Sequence, residues 1–197
     1  MLFRSAQGRD YLAKLTVSFV ITGVGGLVLK RLNFKLPETA APVAWATLVG
    51  GALILVIEAL VSQKPLKDRI TWPVAVAVGL AQLLAAIFPG TSRSAATILI
   101  ALAMGLQRRA ATEFSFLLGV PTLLAAGALQ IYSAQKHGET IDWGLVLIGA
   151  FTAAVMAFLS VRWLLRYVQS HTFKPFGWYR LALGVIILIL FTKMPHS

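Results

Sequence analysis

The chain has 197 residues, of which 58% are apolar and 13% charged, with a formal net charge of +11 and a mean hydropathy of +0.79. Soluble domains carry about 25% charged residues and cannot bury this much apolar surface. The composition therefore excludes a soluble globular protein and a disordered chain, and the absence of cysteine excludes a disulfide scaffold or a thiolate metal site. What remains is an all-α fold: a polytopic integral membrane helical bundle, taken as a single membrane domain over residues 1–197.

The apolar runs are readily delimited. Leu15 to Leu29 is uncharged, and Tyr11 to Ala13 extend it if Lys14 snorkels. Ala40 to Val61 carries one charge, Glu58, and Ile70 to Gln107 carries one, Arg93. Phe114 to Gln135 and Trp143 to Val161 are uncharged, and Phe176 to Thr192 carries only Arg180. A span needs about 20 residues, so most of these runs can cross once. No signal peptide is expected, because Lys30 and Arg31 follow the first run in place of a small-residue cleavage site. The longest polar stretch, Val61 to Arg69, reads as a linker.

Ile70 to Gln107 is too long for one span and is broken by Phe88-Pro89-Gly90-Thr91-Ser92-Arg93-Ser94. Lys67 and Arg69 flank it on one side, Arg108 and Arg109 on the other. The positive-inside rule puts both flanks in the cytoplasm. The chain is thus expected to enter the bilayer, turn at Pro-Gly and return, as a re-entrant helical hairpin with its polar turn at depth or facing outside. An inside N-terminus places Arg4, Arg9, Lys14, Lys64, Lys67, Arg69, Arg108, Arg109, Arg162, Arg166 and Lys174 in the cytoplasm. It leaves Lys30, Arg31, Lys35, Lys136 and Lys193 outside, eleven cations against five, with the loop Lys30 to Pro37 running against the rule. The basic residues sit in loop clusters and not along one helix face, so no nucleic-acid partner is expected.

An arginine at the centre of a membrane helix costs about 2.5–3.5 kcal/mol. Arg93 must therefore face protein, water or an anion, and its neighbours suit an anion. Pro89 and Gly90 stop the first half-helix. Thr91, Ser92 and Ser94 supply hydroxyls and N-caps. The second half-helix, starting at about Ser94, points its positive end at the turn. A guanidinium there can grip phosphate oxygens in pairs, and Thr97 lies one turn on. The same residues also fit an ordinary two-helix hairpin with Arg93 in solvent. Elsewhere, Glu58 reads as interfacial, and Glu113, four residues after Arg109, as half of a surface ion pair. Arg180, following Trp178 and Tyr179, reads as an interfacial anchor. His137, His171 and His196 are isolated.

Gly79-Leu80-Ala81-Gln82 followed by Pro89-Gly90-Thr91-Ser92-Arg93-Ser94-Ala95-Ala96-Thr97 resembles the second signature of the undecaprenyl-diphosphate phosphatase family, the BacA-type bacitracin-resistance proteins. Glu113 to Leu118 with Pro121, and Phe173, Pro175-Phe176 and Trp178-Tyr179-Arg180, resemble the same family. The resemblance implies a fold of inverted repeats, each with a re-entrant hairpin, in a bacterial cytoplasmic (inner) membrane, with the phosphate site facing outside. It implies hydrolysis of undecaprenyl diphosphate to undecaprenyl phosphate and inorganic phosphate, which recycles the lipid carrier for peptidoglycan and confers bacitracin resistance.

Carried over by motif, Arg93 and Ser92 would be catalytic. Gly90, Thr91, Ser94, Thr97 and, more weakly, Gln82 would bind substrate. Ala95 stands where the family usually has glycine. The resemblance also implies a divalent cation, magnesium or calcium, but the glutamate- and histidine-bearing signature that opens family members is not found in this sequence. The expectation is a phosphate clamp without its activating half, through a misplaced start, a truncated gene or a partner chain that supplies the missing hairpin. A homo-oligomer fits as well. Two other readings stay open: a lipid-phosphate or anion transporter, and an inactive diphosphate-binding fragment or scaffold.

Overall fold

The computed structural model describes residues 6–32, 40–63, 65–138 and 140–193. Arg4, Lys35, Pro37, Lys64 and His196, used above for topology and site, lie outside the described residues. Among the described residues seven helices run in chain order: α1 Ala6–Arg31, α2 Ala40–Val61, α3 Trp72–Ile87, α4 Arg93–Ala103, α5 Arg108–Lys136, α6 Trp143–Ser170 and α7 Lys174–Lys193. Four of them, α1, α2, α5 and α6, are long and apolar enough to cross a membrane. No strand occurs among the described residues, and the chain is an all-α, multi-pass membrane protein.

Helices α3 and α4 have 16 and 11 residues, about 24 and 16 Å. Each is shorter than a hydrocarbon core of about 30 Å. Thr71 precedes α3 with proline at its first turn, a position where the missing N–H costs nothing. The two helices pack side by side, and their outer ends are clasped together. The Lys67 N–H donates to the Gly105 carbonyl at 2.9 Å, and the Gln107 N–H to the Lys67 carbonyl at 2.8 Å. The stretch read as a bare linker is thus a fastening that holds both hairpin flanks at one end of the bundle.

Helix α1 begins nine residues before its apolar run, since nothing in Ala6–Lys14 breaks a helix. Lys14 does not snorkel. It is buried, pairs with Asp10 at 2.5 Å and lies over the Trp72 ring. Further along α1, Ser18 Oγ donates to the Ala75 carbonyl at 2.6 Å and Thr22 Oγ1 to that of Gly79 at 3.2 Å. Such hydroxyl contacts join helices where no hydrophobic effect separates them from lipid. Tyr11 meets Phe114 edge-on, tying α1 to α5.

Helices α2 and α7 approach closely through small residues. A Cβ on Gly51 would stand 3.0 Å from the Gly177 carbonyl oxygen. Helix α6 packs on α5 and shows Leu147, Phe151 and Phe158 outward, as a lipid-facing helix does.

Glu58 corrects the reading from sequence. It is fully buried within the protein and not a solvent-exposed charge. Arg108 Nε donates to Oε1 at 3.0 Å, Arg108 Nη2 donates to Oε2, and the Phe173 N–H donates to Oε1 at 2.8 Å. One carboxylate thereby joins the end of α2, the start of α5 and the approach to α7. A hydropathy pattern locates the charge along the helix but not the guanidinium that meets it from fifty residues away.

Candidate anion-binding site at the hairpin turn

Helix α3 ends because Pro89 cannot continue it and pushes the preceding residue out of the helical region. Phe88 accordingly has φ −105° and ψ 101°. Gly90 follows at φ +88°, a left-handed conformation that glycine adopts without steric cost. The turn also requires glycine for space, since a Cβ there would lie 2.5 Å from the Val43 carbonyl oxygen of α2. Helix α4 then starts at Arg93 with Ser92 as its N-cap. The Ser92 Oγ accepts from the Ala95 N–H at 3.3 Å and lies 3.3 Å from Ser94 Oγ. The remaining first-turn N–H groups of α4 and the positive end of its dipole point toward the turn.

Two arginines stand at this turn: Arg93 opens α4, and Arg180 reaches the turn from α7. Arg93 reaches toward α5 and lies over Gly119, where a Cβ would stand 2.9 Å from Nη2. Arg180 comes from α7. Its Nη2 donates to the Gly90 carbonyl at 2.9 Å, and its Nε is buried without a partner. Gly50 of α2 makes room for it, because a Cβ there would stand 2.8 Å from the same Nη2. Both arginines are half-buried. Among the described residues neither has a carboxylate partner; the ion pairs join Asp10, Glu58 and Glu113 to Lys14, Arg108 and Arg109.

Arg180 is the residue that the sequence misassigned. Its aromatic neighbours suggested an anchor, and the structure turns it inward onto the turn. The available signal was a charge six residues into an otherwise apolar helix, a position that usually marks a site.

A cavity of about 270 Å³ opens beside the turn, with Ser92, Ser94, Ala95 and Arg180 in its wall and apolar side chains making up the rest. Of the other sequence candidates, Thr97 is buried, and its hydroxyl donates to the carbonyls of Arg93 and Ser94 at 3.0 and 3.1 Å. Gln82 is also buried and donates to Thr122 Oγ1 of α5 at 2.9 Å. Gln82 thereby joins α3 to α5, while Thr97 bonds within its own helix. Thr91 is half-buried within the turn, its N–H donating to the Phe88 carbonyl. Glu113 forms the exposed pair with Arg109 at 2.9 Å, away from the turn.

The donor set fits an anion and not a metal. It offers guanidiniums, hydroxyls and N–H groups, and no group of three or more His, Asp or Glu side chains suited to a cation occurs among the described residues.

The sequence profile described as bacitracin resistance protein BacA matches residues 2–186. A Xylella fastidiosa protein named undecaprenyl-diphosphatase is 46% identical over 189 residues, covering 94% of this chain and 72% of the relative. Proteins of the same name from Rhizobium etli and Xanthomonas oryzae pv. oryzae are each 45% identical, over 97% and 93% of this chain and 73% and 70% of their own lengths. With the profile and the relatives agreeing along nearly its whole length, the chain belongs to the bacitracin resistance protein BacA family.

Proposed function

We propose that this protein acts on undecaprenyl diphosphate, releasing inorganic phosphate and leaving undecaprenyl phosphate in the membrane. The observation that carries this reading is a capped helix start that bears Arg93 and is met by Arg180 from α7, neither with a carboxylate partner among the described residues, beside an apolar cavity that Ser92, Ser94 and Arg180 line. Uncompensated cations in a low-dielectric site favour a multiply charged anion, and the cavity suits a hydrocarbon attached to it.

In the reaction, a water oxygen bonds to the terminal phosphorus. The bond from that phosphorus to the bridging oxygen breaks, and the bridging oxygen leaves with its electron pair on the lipid phosphate. Negative charge moves onto the bridging and equatorial oxygens as this happens. Arg93 binds the diphosphate and stabilises that developing charge, and Arg180 opposes it from α7. Ser92 and Ser94 donate to phosphate oxygens, helped by the first-turn N–H groups of α4. Activation of the attacking water is assigned to no described residue of this chain.

Membership of the family supports a bacterial cytoplasmic membrane location, and the distribution of basic loops supports both hairpin flanks in the cytoplasm. The hairpin is then re-entrant, with its turn reached from outside.

The test is phosphate release from undecaprenyl diphosphate by the purified chain in detergent, with and without divalent cation and with Arg93→Ala as control. Release that vanishes in Arg93→Ala supports the proposal. Retained Arg93-dependent binding of the lipid without release reduces the function of the 197-residue chain to a diphosphate clamp. Release or binding indifferent to Arg93 overturns the assignment.

A further inference from the structure

We propose that a cavity at the start of α5 is a second anion site, which takes a phosphate group either from the headgroup of an anionic bilayer lipid or free in the cytoplasm. The site does not depend on the reaction at the hairpin turn and is separate from it. Its wall includes Ser62 after α2, Gln107, Arg108 and Arg109 at the start of α5, and Val168 and Gln169 near the end of α6. None of these residues lines the cavity beside the turn. Buried Glu58 stands between the two. It accepts from Arg108, which lines one cavity, and from the N–H of Phe173, which lines the other.

The wall offers donors that the fold leaves over. Arg108 uses Nε and Nη2 on Glu58, and Arg109 uses Nε on Glu113. Among the described residues Arg108 Nη1 and both terminal nitrogens of Arg109 meet no acceptor. Gln107 makes no side-chain cap, so the first N–H groups of α5 are open as well. Lys174 adds a positive charge that acts on Glu58, so Arg108, Arg109 and Lys174 outweigh Glu58 and Glu113 at this end. Guanidiniums beside an open helix start match phosphate oxygens in both charge and geometry. The volume, about 490 Å³, lies within the range of about 300–1,000 Å³ that encloses a small molecule, with room for a phosphate and the headgroup attached to it. The helix start is also fixed in advance, since the Gln107 N–H donates to the Lys67 carbonyl at 2.8 Å. In the topology proposed above, this end lies at the cytoplasmic surface, where basic pockets between membrane helices take lipid headgroups. Helix α6 packs on α5, and a phosphate held here ties its Val168–Gln169 end to α2 as well. The ligand should therefore stabilise the folded protein.

The experiment follows the thermal unfolding midpoint of the full chain in a neutral detergent at constant ionic strength. One arm titrates inorganic phosphate, and the other dioctanoyl phosphatidylglycerol. The concentration that gives half of the midpoint shift is the readout. Each arm is run on the wild type and on Arg93→Ala, which silences the hairpin turn. Arg109→Gln and Gln169→Glu are each added to the Arg93→Ala chain. Both positions are exposed, so neither change threatens the fold. In Arg93→Ala at least one ligand should still raise the midpoint. Arg109→Gln removes a donor charge and Gln169→Glu adds a repelling carboxylate, and each should raise the half-saturating concentration by about fivefold or more. A shift with inorganic phosphate identifies the free anion as sufficient. A shift with phosphatidylglycerol alone identifies the lipid headgroup. Either result supports the site. A chain that neither ligand stabilises overturns it, and so does a shift that Arg93→Ala abolishes, which belongs to the turn. A shift that both added substitutions leave unchanged overturns it too. Where the two differ, Arg109→Gln decides, because it removes a group that the proposal places against the phosphate.

Discussion

Glu58→Ala removes the carboxylate that Arg108 meets and the acceptor of the Phe173 N–H. Breaking a buried ion pair from one side costs about 3–5 kcal/mol, because the partner charge is stranded. Arg108 keeps 20% of its side-chain exposure and borders a cavity of about 490 Å³ lined also by Ser62, Gln107 and Gln169. Water therefore reaches the stranded guanidinium, and the lower end of the range, about 3 kcal/mol, applies. The orphaned Phe173 N–H adds about 1 kcal/mol. The total is about 4 kcal/mol, roughly a thousandfold in the folding equilibrium. Glu58→Gln keeps an acceptor for the N–H and should lose about 1 kcal/mol less. The assay is equilibrium unfolding in mixed micelles, followed by tryptophan fluorescence. It is run as a double-mutant cycle with Arg108→Ala, in which the pair should show a coupling of about 2 kcal/mol or more. A loss under about 1 kcal/mol in Glu58→Ala, with additive effects in the cycle, would refute the view that this carboxylate fastens α2, α5 and the approach to α7.

Gly90→Ala forces a left-handed residue to carry a Cβ that points 2.5 Å from the Val43 carbonyl oxygen; backbone cannot yield there, so stability should fall by about 2–3 kcal/mol in the same unfolding assay. Gly119→Ala should separate stability from binding. Alanine favours the helix by about 1 kcal/mol, while its methyl, 2.9 Å from Arg93 Nη2, displaces the guanidinium and weakens pyrophosphate binding by about tenfold in calorimetry. Unchanged affinity would mean that Arg93 does not act from its observed position. Thr97→Val should alter pyrophosphate affinity by less than about threefold, because its hydroxyl bonds go to the Arg93 and Ser94 carbonyls. A larger loss would place that hydroxyl against the ligand. The Arg93→Ala control of the release assay should abolish diphosphate binding and leave the melting transition in place.

Much of the fold is local and therefore legible in the chain. Apolar runs long enough to cross a bilayer mark helices whatever they pack against, and α2 spans the Ala40 to Val61 run as read. The break at Pro89-Gly90 is equally local, since it follows from a missing N–H and a left-handed φ. Ser92 shows itself as an N-cap by its place before an apolar helix. Which side chains meet is a different matter, because it depends on how each helix is rotated and how closely its neighbours approach. Glu58 and Arg180 each looked like charges at a membrane boundary. Their partners, Arg108 and Gly90, stand fifty and ninety residues away in the chain. Only the close α2–α7 packing through Gly51 and Gly177, and the niche at Gly50, turn Arg180 inward onto the hairpin turn. The sequence by itself determined a membrane helical bundle with an arginine-bearing turn. The tertiary structure decided that a second arginine joins it and that a buried carboxylate holds the wall of the cavity, because both depend on contacts between helices that no single segment encodes.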